Sequence, residues 1–114
     1  MDVDFVCVGH THIQYALKVD KTIVINPGSV GLPRDGDPRA AYAIMSQAGI
    51  ELKRVEYPID ETLAAVEATE MPENAKTLLA EALRTGRLEK KNGNGNGAAA
   101  ERNGVAREGV PVGL

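Results

Sequence analysis

The sequence predicts a mixed α/β fold in which short strands come first and helices follow. The N-terminal half consists of short β-branched or apolar runs separated by Gly, Pro, Asn and Asp. After Pro58 the spacing of apolar residues lengthens from two to nearly four, and no internal repeat or strand–helix–strand alternation occurs. The expectation is therefore about five short strands followed by two helices.

Each element has a local cause. Residues 3–8, Val-Asp-Phe-Val-Cys-Val, predict a buried strand too short to be a helix, with Cys7 as a small apolar residue within it. Residues 14–19 and 22–25 are extended runs joined by Asp20-Lys21, a link of hairpin length. Asn26-Pro27-Gly28-Ser29 sets Pro and Gly at the central positions of a type II turn, where Gly supplies the positive φ. A polar loop over residues 34–39 leads to strands at 41–46 and 50–57, with Gln47-Ala48-Gly49 between them. Asp60 is placed to cap a short helix carrying Leu63 and Val66 on one face. A second helix starts near Pro72, aligns Ala75, Leu78, Leu79, Ala82 and Leu83, and stops at Gly86; it reads as an amphipathic lid or interface helix.

Composition narrows the class further. The chain has 114 residues and a net charge of −3, which suits one small domain. No run approaches the roughly 18 apolar residues a spanning helix needs, and acids near the start argue against a secretory signal, so no membrane partner and a cytoplasmic location are expected. The single Cys7 excludes an intramolecular disulfide. With no Trp, one Phe and three Tyr, no stacking platform for nucleic acid is available, and Lys90-Lys91 is too short for a basic patch. Residues 1–86 hold 8 basic and 13 acidic side chains (−5), whereas residues 87–114 hold 5 and 3 (+2). The second stretch, with three consecutive Asn-Gly pairs and three alanines, buries too little apolar surface to order itself and predicts a disordered low-complexity tail.

Both histidines fall in one tetrapeptide, Gly9-His10-Thr11-His12, directly after the first strand. In an extended or loosely turning segment, side chains at i and i+2 point the same way about 6–7 Å apart. Two imidazoles so placed can each reach one ion of a metal pair or share one ion; the spacing alone reads equally as two loop histidines without a ligand. Ser29 and nearby turn amides are candidates to meet a phosphate, against a purely structural turn. Arg34 and Arg39 read as solvated loop charges, with phosphate pairing the other reading, and Asp35 and Asp37 read as turn formers with no acid/base role.

A strand, Gly9-His10-Thr11-His12, a hairpin, Asn26-Pro27-Gly28-Ser29-Val30-Gly31 and two more strands together resemble the C-terminal half of calcineurin-like metallophosphoesterases, in particular their small phosphodiesterases. The resemblance covers about residues 2–86, and Gln14 departs from it by standing where a Pro or small loop residue is common. It implies a four-layer α/β/β/α sandwich with a binuclear metal centre at the strand ends. His10 and His12 would each ligate one ion, of Mn, Fe, Ni or Zn, and Ser29 would lie toward substrate. The reaction implied is two-metal hydrolysis of a phosphoester by a metal-activated water.

The family's other ligand motifs, Asp-x-His, Gly-Asp and Gly-Asn-His, normally precede this one and do not occur before Gly9, and no third His exists. The expectation is thus a C-terminal half, truncated or separately encoded, that holds metal weakly and is inactive alone, with no catalytic residue assigned beyond the metal ligands. Its implied partners are a phosphoester substrate, a complementing N-terminal half or a second copy. The alternative is a non-catalytic interaction scaffold of the same fold.

Overall fold

A computed structural model describes residues 4–88 and 105–106. The elements are β1 (Asp4–Cys7), β2 (Tyr15–Val19), β3 (Thr22–Asn26), β4 (Ala40–Ser46), β5 (Gly49–Val55), α1 (Ile59–Glu67), α2 (Glu73–Thr85) and β6 (Val105–Ala106). Five strands followed by two helices is the expected order, and β6 is an addition.

The strands form two sheets, one ordered β1-β3-β2-β6 and the other the β4-β5 hairpin. Asp20-Lys21 turns the chain between β2 and β3, with Asp20 at φ 53° and Val19 opposite Thr22. That reversal brings β3 back alongside β1 in the same direction, so the two pair in parallel, Phe5 beside Ile23 and Cys7 beside Ile25. With a neighbour on each side, β3 contributes the buried Ile23, Ile25 and Asn26. Ala16, Ile23 and Ile25 meet Ile50 and Leu52 of the hairpin in the core, with Phe5 and Ala43 packed against it. The described residues thus hold two sheets and the helices α1 and α2.

Two expectations need correction. β1 is not a buried strand: it lies at the sheet edge, Val6 is 44% exposed and Cys7 is exposed, because only β3 flanks it. Asp60 does not cap α1; Pro58 occupies that position without a side-chain cap, and Asp60 lies in the first turn, where its charge still opposes the helix dipole. The segment expected to be a tail pairs at Val105–Ala106 with Leu17 and Ala16, occupying the outer edge of β2. The remainder of that segment beyond Leu88 lies outside the described residues.

The helices pack on each other. Lys76 of α2 is buried and its ammonium donates to the Glu67 carbonyl at 2.9 Å, supplying a cation to the end of α1, whose last turn has no basic residue. Leu83 and Ala82 are buried as the periodicity expects, while Leu78 remains exposed. Gly86 ends α2 at φ 70°, and a Cβ there would lie 2.7 Å from the Asp37 backbone. The Gly36 amide donates to the Gly86 carbonyl at 3.0 Å, so the 34–39 loop is seated on the end of α2.

That loop carries a buried polar network. Arg54 pairs with Asp35, both side chains nearly out of solvent, and its guanidinium also donates to the Asp37 and Arg39 carbonyls at 3.2 and 3.3 Å. Gln14 completes the arrangement: its amide nitrogen donates to Tyr42 and Lys53 carbonyls at 3.0 and 2.9 Å, and its side-chain oxygen accepts from Arg54 at 2.9 Å. Removing the cation leaves Asp35 buried and uncompensated, so Arg54→Leu should lower stability by about 3–5 kcal/mol. A urea midpoint equal to that of the parent would contradict this reading of the network.

Asp37 accepts from the Arg39 guanidinium at 2.7–3.2 Å and from its backbone amide at 3.0 Å, as an Asx turn does. The Arg39 side-chain hydrogen bonds hold the Asp37 carboxyl below its ordinary value; burial acts the other way, and the backbone bond and the Arg54 charge reinforce the lowering. A carboxylate depressed on folding stabilises the protein above its unfolded value, and that contribution disappears as pH falls through the lower folded value. The pair therefore acts at the acid end, below the usual Asp range. In Arg39→Gln the Asp37 midpoint should rise in a carboxyl-carbon NMR titration, and the same midpoint in both proteins would disprove the cause given.

Candidate metal-binding loop

The two histidines lie in the link between β1 and β2, which turns tightly at them, more than an extended or loosely turning segment would. His10 has φ 75° and His12 has φ 60°, both in the left-handed region that residues with a Cβ seldom occupy. The Thr11 amide donates to the Gly9 carbonyl at 2.9 Å. A bond from i+2 to i around a central residue near φ +75° is a γ-turn of the strained hand, and His10 is its apex. Nothing lies within 4 Å of a Cβ placed on Gly9, so the turn has room on that side.

His10 is exposed and His12 half-buried. His12 Nδ1 lies 2.8 Å from the Leu32 carbonyl oxygen. A carbonyl only accepts, so Nδ1 carries the proton and Nε2 keeps its lone pair. The Arg34 amide donates to the His12 carbonyl at 3.0 Å, which ties the same residue to the other end of this segment. Pro33, fully buried between the two contacts, keeps the segment stiff.

Gly28 takes the expected positive φ, 86°, but the reversal expected over Asn26-Pro27-Gly28-Ser29 is not a type II turn there: the Gly28 amide donates to the Asn26 side chain, and the chain bends next at Val30-Gly31. A Cβ on Gly28 would come within 2.9 Å of the Ala41 Cβ and 3.1 Å of the Gln14 Cβ, so only Gly fits between β4 and the histidine loop. The Ser29 hydroxyl accepts from the Leu32 amide at 2.9 Å and so helps set the carbonyl that meets His12. Asn26, 0% exposed, donates to the Gly9 carbonyl at 3.3 Å and the Thr11 hydroxyl at 2.9 Å, and accepts from the Gly28 amide at 3.0 Å. Sequence reasoning missed Asn26 and Gln14. An Asn opening a Pro-Gly turn carries a signal, since its side chain commonly accepts from the amide two residues on; Gln14 carries none.

Chemically, the loop offers two neutral imidazoles, suitable nitrogen donors for a divalent transition metal. They fit as part of a ligand set. No group of three or more His, Cys, Asp and Glu able to hold an ion occurs among the described residues. A cavity of about 610 Å³ lies elsewhere, between α1 and α2, lined in part by Leu63, Val66, Lys76 and Ala80, and includes neither histidine. No helix among the described residues is long and apolar enough to cross a membrane.

Residues 1–49 match the calcineurin-like phosphoesterase superfamily domain. The protein MJ0912 of Methanocaldococcus jannaschii is 37% identical, over 61% of this chain and 36% of its own length. The crystal structure of a metallophosphoesterase from Sphaerobacter thermophilus superposes with a TM-score of 0.62 at 32% identity, covering 75% of this chain and 44% of that one. The chain thus spans between a third and a half of the length of these relatives. In sequence over residues 1–49 and in fold over three quarters of its length, the chain is thus similar to calcineurin-like metallophosphoesterases.

Proposed function

We propose that this chain supplies His10 and His12 to the divalent-metal centre of a phosphoester hydrolase whose remaining ligands come from outside the described residues. The observation that carries the reading is the His12 Nδ1 contact with the Leu32 carbonyl, which leaves Nε2 as a fixed donor. When bound, the metal would acidify a water for attack on phosphorus and neutralise phosphate oxygens. His10 and His12 would bind and orient it from one strained loop. The Ser29 hydroxyl, which accepts from Leu32, keeps its own proton to donate to a substrate oxygen. The substrate class is a phosphodiester or related phosphoester, and the metal is Mn, Fe, Ni or Zn.

Two neutral imidazoles without a bridging carboxylate make a weak site. In Zn²⁺ titrations followed by calorimetry, the parent chain should bind weakly, and His10→Ala and His12→Ala should each lose about tenfold or more in affinity. Identical affinity in parent and both variants would remove the histidines from the proposal. The chain alone should not hydrolyse bis(p-nitrophenyl) phosphate with Mn²⁺; turnover by it would overturn the requirement for further ligands.

Association with a second polypeptide surface is favoured by a separate observation. β1 presents an edge with Val6 and Cys7 exposed, and Tyr42, Ile44 and Met45 are exposed on β4. Unpaired strand edges and apolar faces are pairing surfaces. They would accept a complementing part of the domain or another copy, in an enzyme or in a non-catalytic scaffold of this fold. Light scattering on the purified chain should report self-association, or a complex when the complementing part is added. A folded monomer that takes up neither partner would exclude this.

A further inference from the structure

We infer that Asn26 is a positioning residue that holds His10 at the apex of its strained γ-turn and thereby keeps the two imidazoles arranged for a cation; the inference rests on the metal-binding reading of the histidines. The turn is closed by one backbone bond, from Thr11 to the Gly9 carbonyl at 2.9 Å, while His10 sits at φ 75°. A non-glycine residue in such a conformation costs about 1–3 kcal/mol and persists only where its surroundings over-determine it. Asn26 is the surroundings. Its single amide group donates to both ends of the turn, the Gly9 carbonyl and the Thr11 hydroxyl, at 3.3 and 2.9 Å.

The clamp is itself fixed. Asn26 ends the central strand β3, is fully buried, and is paired with Tyr15 across the sheet. Its side-chain oxygen is held by the Gly28 amide at 3.0 Å, which leaves the NH₂ aimed at the histidine turn and settles which amide atom is which. The Thr11 hydroxyl also accepts from the Ile13 amide at 3.3 Å, so the constraint continues across His12, the second left-handed residue. One side chain on the sheet thus fixes the backbone on both sides of His10 and reaches His12 through Thr11. An apolar residue at position 26 would fill the space but leave the Gly9 carbonyl and Thr11 hydroxyl without this donor. Asp at that position would keep the acceptor for Gly28 and lose both donors.

The test separates this role from general stability. NMR of the metal-free chain reads φ at His10 directly from its intraresidue amide–Hα contact and couplings, and Zn²⁺ titration reads the arrangement of the pair. In Asn26→Asp and in Thr11→Val, His10 should leave positive φ and Zn²⁺ affinity should fall about tenfold, whereas Thr11→Ser, which keeps the hydroxyl, should restore both. Thr11 is exposed, so its variants keep the test decisive where a change at buried Asn26 prevents folding. Folded variants with His10 still at positive φ and Zn²⁺ affinity within twofold of the parent would overturn the inference. A parent chain that binds no Zn²⁺ would instead sink the metal-binding reading, while the metal-free φ measurement would still decide whether Asn26 holds the turn.

Discussion

Gln14 reaches from the histidine loop into the β4-β5 hairpin with both amide hydrogens and its oxygen engaged. A buried amide is stabilising only when its donors and acceptor are met, and here the partners are the carbonyls of Tyr42 and Lys53, which lie opposite each other in the hairpin, and the Arg54 guanidinium. Its own backbone amide donates to Asp35 at 3.2 Å. A shift of the hairpin by one residue would reverse its faces and leave this network unpaired. The position of β4-β5 against the first sheet is therefore specified by polar geometry as well as by the apolar contact of Ile23 and Ile25 with Ile50 and Leu52.

The left-handed histidines depend on that frame. Gly28 fits against the Cβ atoms of Gln14 and Ala41, so the Pro-Gly turn, the hairpin and the start of β2 are mutually seated. The Leu32 carbonyl that meets His12 hangs from the same turn through Ser29. Strain stored at two residues, about 1–3 kcal/mol each, is offset by contacts distributed over three segments. Strain of this kind collects where chemistry is done, and both strained histidines are the proposed ligands.

Local chemistry was legible in the sequence wherever one residue type has one conformational use. Gly28 and Gly86 take the left-handed φ expected of them and Asp20-Lys21 makes its hairpin, because each relies on φ preferences within a few residues. What failed depended on neighbours in space. Val6 and Cys7 have the composition of a buried strand, yet exposure follows from β1 being at the edge of its sheet. Pro58 precedes α1 where an Asp60 cap was expected, since Asp is equally at home in a first turn. The pairing of His10 and His12 could be read from their spacing, but their backbone conformation could not, because the hydrogen bonds that impose it come from Asn26 and Leu32.

Charge balance limits the proposed metal site to a partial one in this loop. A dication beside two neutral imidazoles needs carboxylates to balance it, and a pair of dications needs them more. Asp35, which accepts from the Gln14 amide at the end of this loop, is already committed to Arg54 in a nearly buried pair, and Asp37 faces Arg39. Withdrawing Asp35 to a metal would strand the Arg54 charge among the Asp37 and Arg39 carbonyls and the Gln14 oxygen, at a cost of several kcal/mol. Asp35 thus serves the scaffold under the histidine loop, and charge balance for a cation held as proposed would have to come from other residues.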